Sequence, residues 1–193
     1  MAKVQLILDT ALAMLNEGPA DRITTNQIAK RAGISIGSLY QFFPGKEAIF
    51  YELYKQWLLQ TLNVIDETDA RFDGSEPFED FTDALFESLS GNRAINSLGH
   101  WQLMRAMGST EELVALEKEH HREVFRRTIG FQKKFGRKIA EEQANVLAAL
   151  QHHVTVGCLV ATAQTSGPSE RAAALEWGKK TMRLIYDIEK LNA

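Results

Sequence analysis

The chain is 193 residues long, 45% hydrophobic and 24% charged, with a formal net charge of -3. That length and mixture suit a globular fold with its own core and exclude a disordered or collagen-like chain. The charge total announces no nucleic acid, and the single Cys158 excludes an intrachain disulfide framework, which fits a reducing cytoplasm.

Charge is spread slightly unevenly. Residues 1–60 carry net +1 and residues 61–193 net -4, which permits DNA binding without arguing for it. The opening MAKVQLILDTALAMLNEG is periodically apolar, but Asp9, Asn16 and Glu17 interrupt it, and it lacks the cleavage site of a signal peptide. No unbroken run of about 18 apolar residues occurs, so no membrane span and a cytoplasmic location are expected.

In chain order, Val4, Ile7, Leu8, Ala11, Leu12 and Leu15 recur at helical spacing and predict a first helix, stopped by Gly18-Pro19. Thr24 precedes Gln27 by three residues, a capping-box signature for a short helix carrying Ile28, Ala29 and Ala32. Gly33 ends that helix, Ser35 can cap another short one, and Pro44-Gly45 closes it. From Lys46 a longer helix runs through Ile49, Phe50, Leu53, Trp57, Leu58 and Leu62. A polar stretch from Asp66 to Glu76 follows, then helices over Pro77–Leu89 and Ala94–Met107. Ser109 and Glu112 form a second capping box, opening a helix that reaches Lys134. Ile139–Ala163 is the most continuous apolar helix, and residues 169–190 form the last. No alternating strand pattern or internal repeat is present, so the expected fold class is all-α.

The two short helices joined by Ala32-Gly33-Ile34-Ser35 have about two turns each and cannot persist without neighbours. Ile28, Ala29, Ile34 and Leu39 are the positions to lock them onto the first helix, and Gly33 suits a left-handed turn. This is the helix-turn-helix arrangement, whose second helix lies in the DNA major groove. With Leu39 and Phe43 inward, Ile36, Gly37, Ser38, Tyr40 and Gln41 face out. Gly37 allows close approach, Ser38 and Gln41 can bond base edges, and Ile36 can meet a thymine methyl. Thr24, Thr25, Ser35, Tyr40 and Lys46 sit at helix ends or edges, where caps, hydroxyls and an ammonium can hold phosphates.

The string TTNQIAKRAGISIGSLYQFFPGKEAIF resembles the DNA-binding segment of the TetR family of bacterial helix-turn-helix transcriptional regulators. The likeness covers roughly residues 5–55 and rests on the hydroxyl pair, I-A-K-R-A-G-I-S, G-S-L-Y, the aromatic before the turn, and Lys-Glu opening the next helix. It implies a DNA-binding domain over residues 1–48 and a ligand-binding and dimerisation domain over 49–193, with a linking helix over roughly 46–65. By position it makes Thr25, Ser38, Tyr40 and Lys46 backbone contacts and sets Ile36, Gly37 and Gln41 nearest the bases. Some members of the family carry His where this sequence has Phe42, so Phe42 is expected to pack or to touch only by its edge.

Over residues 61–193 the resemblance is diffuse. Gly157, Ala161, Ala174 and Gly178 permit close helix approach at a homodimer interface or inside one subunit. A symmetric dimer sets two reading helices about 34–36 Å apart and favours a palindromic double-stranded DNA operator. Trp101, Met104, Met107, His121, Phe125, His152 and His153 are the candidates for an inducer pocket, or else core. Adjacent histidines point about 100° apart on a helix, and no second clear ligand pair joins Glu117/His121 at i, i+4, so no metal site and no cofactor are expected.

The resulting expectation is a ligand-responsive transcriptional regulator, a repressor released by an unidentified small-molecule inducer, with no membrane partner and no enzymatic activity. Two alternatives stand beside it. One is a non-inducible DNA-binding protein whose second domain meets a protein partner. The other is a small all-α enzyme using Glu117/His121 or His152-His153, which lacks an activated nucleophile, a phosphate loop and a metal set.

Overall fold

Helical periodicity becomes helix in the computed structural model, which describes residues 2–108 and 110–187. Among these residues the elements are α1 (Ala2–Glu17), a 3-10 turn (Ala20–Arg22), α2 (Thr25–Arg31), α3 (Ile36–Tyr40) and α4 (Lys46–Asp69). They continue with α5 (Phe78–Gly91), α6 (Leu98–Ala106), α7 (Glu111–Lys134), α8 (Glu141–Ala163) and α9 (Pro168–Tyr186), and include no strand. The chain divides into two compact units, Met1–Leu59 with Ser97–Val114, and Gln60–Asn96 with Ala115–Ala193.

The core of the first unit is made by Ile7, Leu8 and Leu15 of α1, Ile28 of α2, Leu39 of α3, Ile49 of α4 and Leu103 of α6, all fully buried. Helix α6 joins this unit because α1 offers it a polar anchor and α4 an aromatic one. The Gly99 N–H donates to Asn16 Oδ1 over 2.7 Å, and the Trp57 ring meets Trp101 edge-on with centroids 5.1 Å apart. A boundary at residue 48 follows the motif, whereas the compact unit runs on to Leu59 and takes in a segment from far along the chain.

The second unit is centred on Phe81, Phe86 and Met182, which are fully buried. Phe81 lies 4.8 Å from the Phe131 centroid and 5.1 Å from that of Phe135, within the range of favourable aromatic packing. Helix α9 packs on both α5 and α8. At Gly178 a Cβ would overlap the Phe86 ring, so α9 approaches α5 this closely only because that position has no side chain.

Several boundaries differ from the sequence reading. Helix α4 continues to Asp69 because its polar end finds partners. Thr68 is buried with its hydroxyl donating to Val64 O (2.8 Å), Asp66 pairs with Arg127 (2.6 Å) and Asp69 with Lys134 (2.8 Å). Helix α6 starts at Leu98, not Ala94, since Asn92 Oδ1 accepts from the Ala94 N–H at 2.9 Å and holds a turn there. The Ser109 half of the second capping box lies outside the described residues, and Thr110 Oγ1 accepts from Leu113 N–H at 3.2 Å. Helix α8 is long and apolar enough to cross a membrane by length and composition alone, an 18-residue stretch of it having a mean hydropathy of 1.5. It nonetheless buries Gln151, Thr155 and Thr162. Gln151 Nε2 donates to Ile185 O at 2.8 Å, which turns this polar stripe toward α9.

Candidate nucleic-acid interface and effector cavity

Local hydrogen bonds build the α2–α3 unit. Thr24 Oγ1 accepts from Gln27 N–H at 3.3 Å while Gln27 Oε1 accepts from Thr24 N–H at 2.9 Å, closing the capping box in both directions. Gly33 holds φ +68°, the left-handed conformation that costs glycine nothing, and Ile34 N–H returns to Ala29 O at 3.0 Å. Ser35 Oγ then accepts from Ser38 N–H at 3.1 Å and starts α3.

Leu39 and Phe43 point inward and are buried. Ile36, Gly37, Tyr40 and Gln41 are therefore exposed, with Ser38 half-buried beside them. A Cβ at Gly37 would meet nothing within 4 Å, so no internal packing asks for glycine there. Phe42 is 42% exposed and so does not pack into the core, whereas Phe43 is buried as expected.

The Thr25 and Tyr40 hydroxyls share a 3.1 Å hydrogen bond, which ties the start of α2 to the end of α3 and leaves both groups at one exposed edge. Lys46 Nζ donates to Ala20 O at 3.4 Å and stands 5.7 Å from the Phe50 ring centroid. Arg31 makes a two-pronged pair with Glu17, and its hydrogen bond holds the Glu17 carboxyl below the usual range. This clamp between the ends of α2 and α1 has no signature in the sequence, because its partners lie 14 residues apart.

The predicted pocket residues do not converge. Trp101 is buried against Trp57 in the first unit, Met104 is half-buried there, and Met107 lines a cleft of about 730 Å³ in that unit. In the second unit a cavity of about 50 Å³ is lined by His120, His152, Thr155, Tyr186, Leu89 and Phe131, among others. Only His152 of the predicted set lines this cavity. His121 stacks on Phe125 and lies 4.9 Å from His152, while His153 is exposed with Nδ1 2.7 Å from Ala149 O.

His120 was missed by the sequence reading, since only the helix phase tells which of two adjacent histidines turns inward. Its Nδ1 is buried without a hydrogen-bond partner. Burial, with His121 and Arg127 nearby, lowers its pKa to about 4; burial, with His121, His120 and His153 nearby, lowers that of His152 to about 3. Among the described residues no three His, Cys, Asp or Glu side chains are placed to hold a metal ion.

Of the candidate interface residues, Gly157 and Ala161 are exposed and Ala174 is half-buried. Gly178 is buried, and a Cβ there would overlap the Phe86 ring, so its smallness admits close packing inside this chain. Large apolar residues stand out near the others: Val146 and Leu150 on α8 are 72% and 52% exposed, and Trp177 and Leu184 on α9 are 68% and 60%. The later basic stretch is tied to acids, with Arg126 on Glu123, Arg127 on Asp66 and Glu123, Lys134 on Asp69, and Arg137 on Asp187.

A capped, Gly-turned helix pair with its second helix exposed, in an all-helical chain of two units, defines a helix-turn-helix protein. Residues 7–53 match the family described as bacterial regulatory proteins, tetR family. The transcriptional regulator EthR of Mycobacterium tuberculosis is 30% identical over 96 residues, 48% of this chain and 44% of that protein. The nucleoid occlusion factor SlmA of Shewanella oneidensis is 38% identical over 68 residues, 33% of this chain and 34% of that one. The chain thus spans under half the length of these curated relatives. Two solved structures share the fold over nearly the whole chain. A putative transcriptional regulator from Pseudomonas aeruginosa has a TM-score of 0.71 at 18% identity, over 97% of this chain and 90% of that one. The SmeT–triclosan complex has a TM-score of 0.65 at 20% identity, over 94% and 91%. Over residues 7–53 the chain thus resembles the TetR family, and its likeness to the two solved structures is one of fold.

Proposed function

We propose that the chain is a sequence-specific DNA-binding transcriptional regulator, a repressor released from a palindromic operator by a small-molecule inducer. The observation that carries this reading is the outer face of α3, where Ile36, Gly37 and Gln41 stand exposed on a locally capped helix. Gln41 and Ser38 would bond base edges and Ile36 a thymine methyl, with the bare Gly37 surface letting the helix sit deep. Thr24, Thr25, Ser35, Tyr40 and Lys46 would hold phosphates and set the register. Residues 1–48 are assigned the DNA-binding role and 49–193 effector binding and dimerisation, with α4 linking the two.

A homodimer through the exposed apolar face of α8 and α9 would double a modest set of contacts and set half-sites about 34–36 Å apart. The inducer is assigned to the cavity beside His120 and His152, where the unpartnered His120 Nδ1 offers it a hydrogen bond. At about 50 Å³ that cavity holds roughly three waters, so an inducer must move the lining helices as it enters. Its affinity then differs between two conformations, which is the only way a ligand can shift an equilibrium. The likeness in fold to a protein solved with triclosan supports a small-molecule role. The reading places the protein in the cytoplasm and gives it no enzymatic step.

Fluorescence anisotropy with the DNA upstream of its own gene, with and without a panel of candidate ligands, tests the proposal. Salt-dependent, sequence-selective binding that a ligand weakens is expected. Selective binding that no ligand alters would favour the second reading, a DNA-binding protein serving a protein partner, to which the likeness to a nucleoid occlusion factor lends support. Binding that is indifferent to sequence would overturn both.

A further inference from the structure

The cleft in the first unit is a site that the reading above leaves without a role. Its volume of about 730 Å³ falls within the ordinary range for small-molecule pockets, and it lies between the 3-10 turn, the first turns of α4 and the stretch from the end of α6 into α7. Phe50, Tyr51 and Met107 give it an apolar, aromatic wall. Around that wall stand three exposed carboxylate residues, Asp21, Glu47 and Glu112, against a single basic one, Lys46. A cation already occupies the aromatic face, for the Lys46 ammonium stands 5.7 Å from the Phe50 centroid.

We propose that this cleft binds a lipophilic cation, an aromatic or otherwise apolar body carrying a quaternary or protonated amine or an onium centre. The apolar body lies along Phe50, Tyr51 and Met107, and the positive charge takes the place of the Lys46 ammonium over Phe50, facing the acidic rim. An aromatic face attracts cations through its quadrupole, and the carboxylates bias the cleft against anions. The site is separate from the cavity beside His120 and does not depend on it. Because Lys46 is also a proposed phosphate anchor, a ligand that displaces it from Phe50 changes the availability of that ammonium to DNA.

The test is isothermal titration calorimetry of the full chain with tetraphenylphosphonium and with uncharged triphenylphosphine oxide. The cation is expected to bind at least about tenfold more tightly than the neutral compound. The double variant Asp21→Asn/Glu112→Gln, exposed at both positions and expected to keep the wild-type melting curve, should weaken the cation about fivefold. Lys46→Met should tighten it by removing the competing ammonium, and Ala48→Phe should abolish binding by filling the cleft. Equal affinity for the neutral compound would overturn the proposal. So would unchanged binding in both the double variant and Ala48→Phe.

Discussion

Gly37 separates folding from function at a single position. Nothing inside the protein lies within 4 Å of where its Cβ would be, and glycine is a poor helix former. Gly37→Ala should therefore leave the melting temperature unchanged or raise it, by up to about 1 kcal/mol of stability. In the proposed complex the same methyl meets the floor of the groove, and operator affinity should fall by about tenfold, a loss of the size of one good base contact. Anisotropy and thermal melts on one variant read both effects. Retained affinity with unchanged stability would remove Gly37 from the reading surface. Gly178 gives the opposite case. Gly178→Ala forces a Cβ into the Phe86 ring and should cost about 1–3 kcal/mol as overpacking, whatever the protein concentration. A loss that grows on dilution would instead place Gly178 at an intermolecular contact.

At the scale of elements, α7 and α8 of the second unit carry two histidines that burial keeps neutral, His120 to about 4 and His152 to about 3. Both values lie below the ordinary 6.5 of histidine, so the unfolded chain takes up protons as pH falls while the folded chain does not. Stability is thus fully present above about pH 6.5, is lost as pH drops toward about 4, and levels off once the folded histidines charge. For His120 the loss between about pH 6.5 and about pH 5 is on the order of 2 kcal/mol. The groups facing this pair include His121, His153 and Arg127, which also disfavour an added positive charge. Denaturant midpoints measured across this range should shift with pH, and His152→Leu should flatten the dependence. A midpoint constant across the range would contradict the burial of both rings.

The same scale shows what could be read in advance. The Thr24–Gln27 box, the left-handed Gly33 and the Ser35 cap each close over three or four residues, so the residue pattern contains both partners. The ends of α4 and α6 are set by Arg127, Lys134 and Asn92 contacts, two of which join residues more than 60 positions apart. Polarity suggested a loop from Asp66 because the sequence does not display the cations that neutralise it. The candidate pocket residues divide between the two units for a related reason. Trp101 and His152 share aromatic, amphipathic character, yet one belongs to the unit built on α1 and the other to the unit built on α9.

For the molecule as a whole, the exposed apolar face of α8 and α9 is the feature with most consequence. Val146, Leu150, Trp177 and Leu184 are each more than half exposed, and helical spacing puts Val146 with Leu150 on one side of α8 and Trp177 with Leu184 on one side of α9. The double variant Leu150→Glu/Trp177→Asp should shift the protein to monomer in light scattering, with little change in helix content. In the proposed dimer the paired half-sites share one binding event, so operator affinity should fall by about a hundredfold or more. A variant that stays dimeric would send the interface elsewhere, without touching the assignment of α3.

Local chemistry let the sequence determine the all-helical class, the helix-turn-helix and the outward face of α3, since caps, turns and a 3.6-residue period act between near neighbours. Tertiary structure alone decided that α6 packs with α1, that Gly178 lies against Phe86, that Phe42 stays exposed, and that His120 joins His152 at the cavity. Each of those outcomes depends on which distant surface a helix face meets, and on the burial or pairing that results.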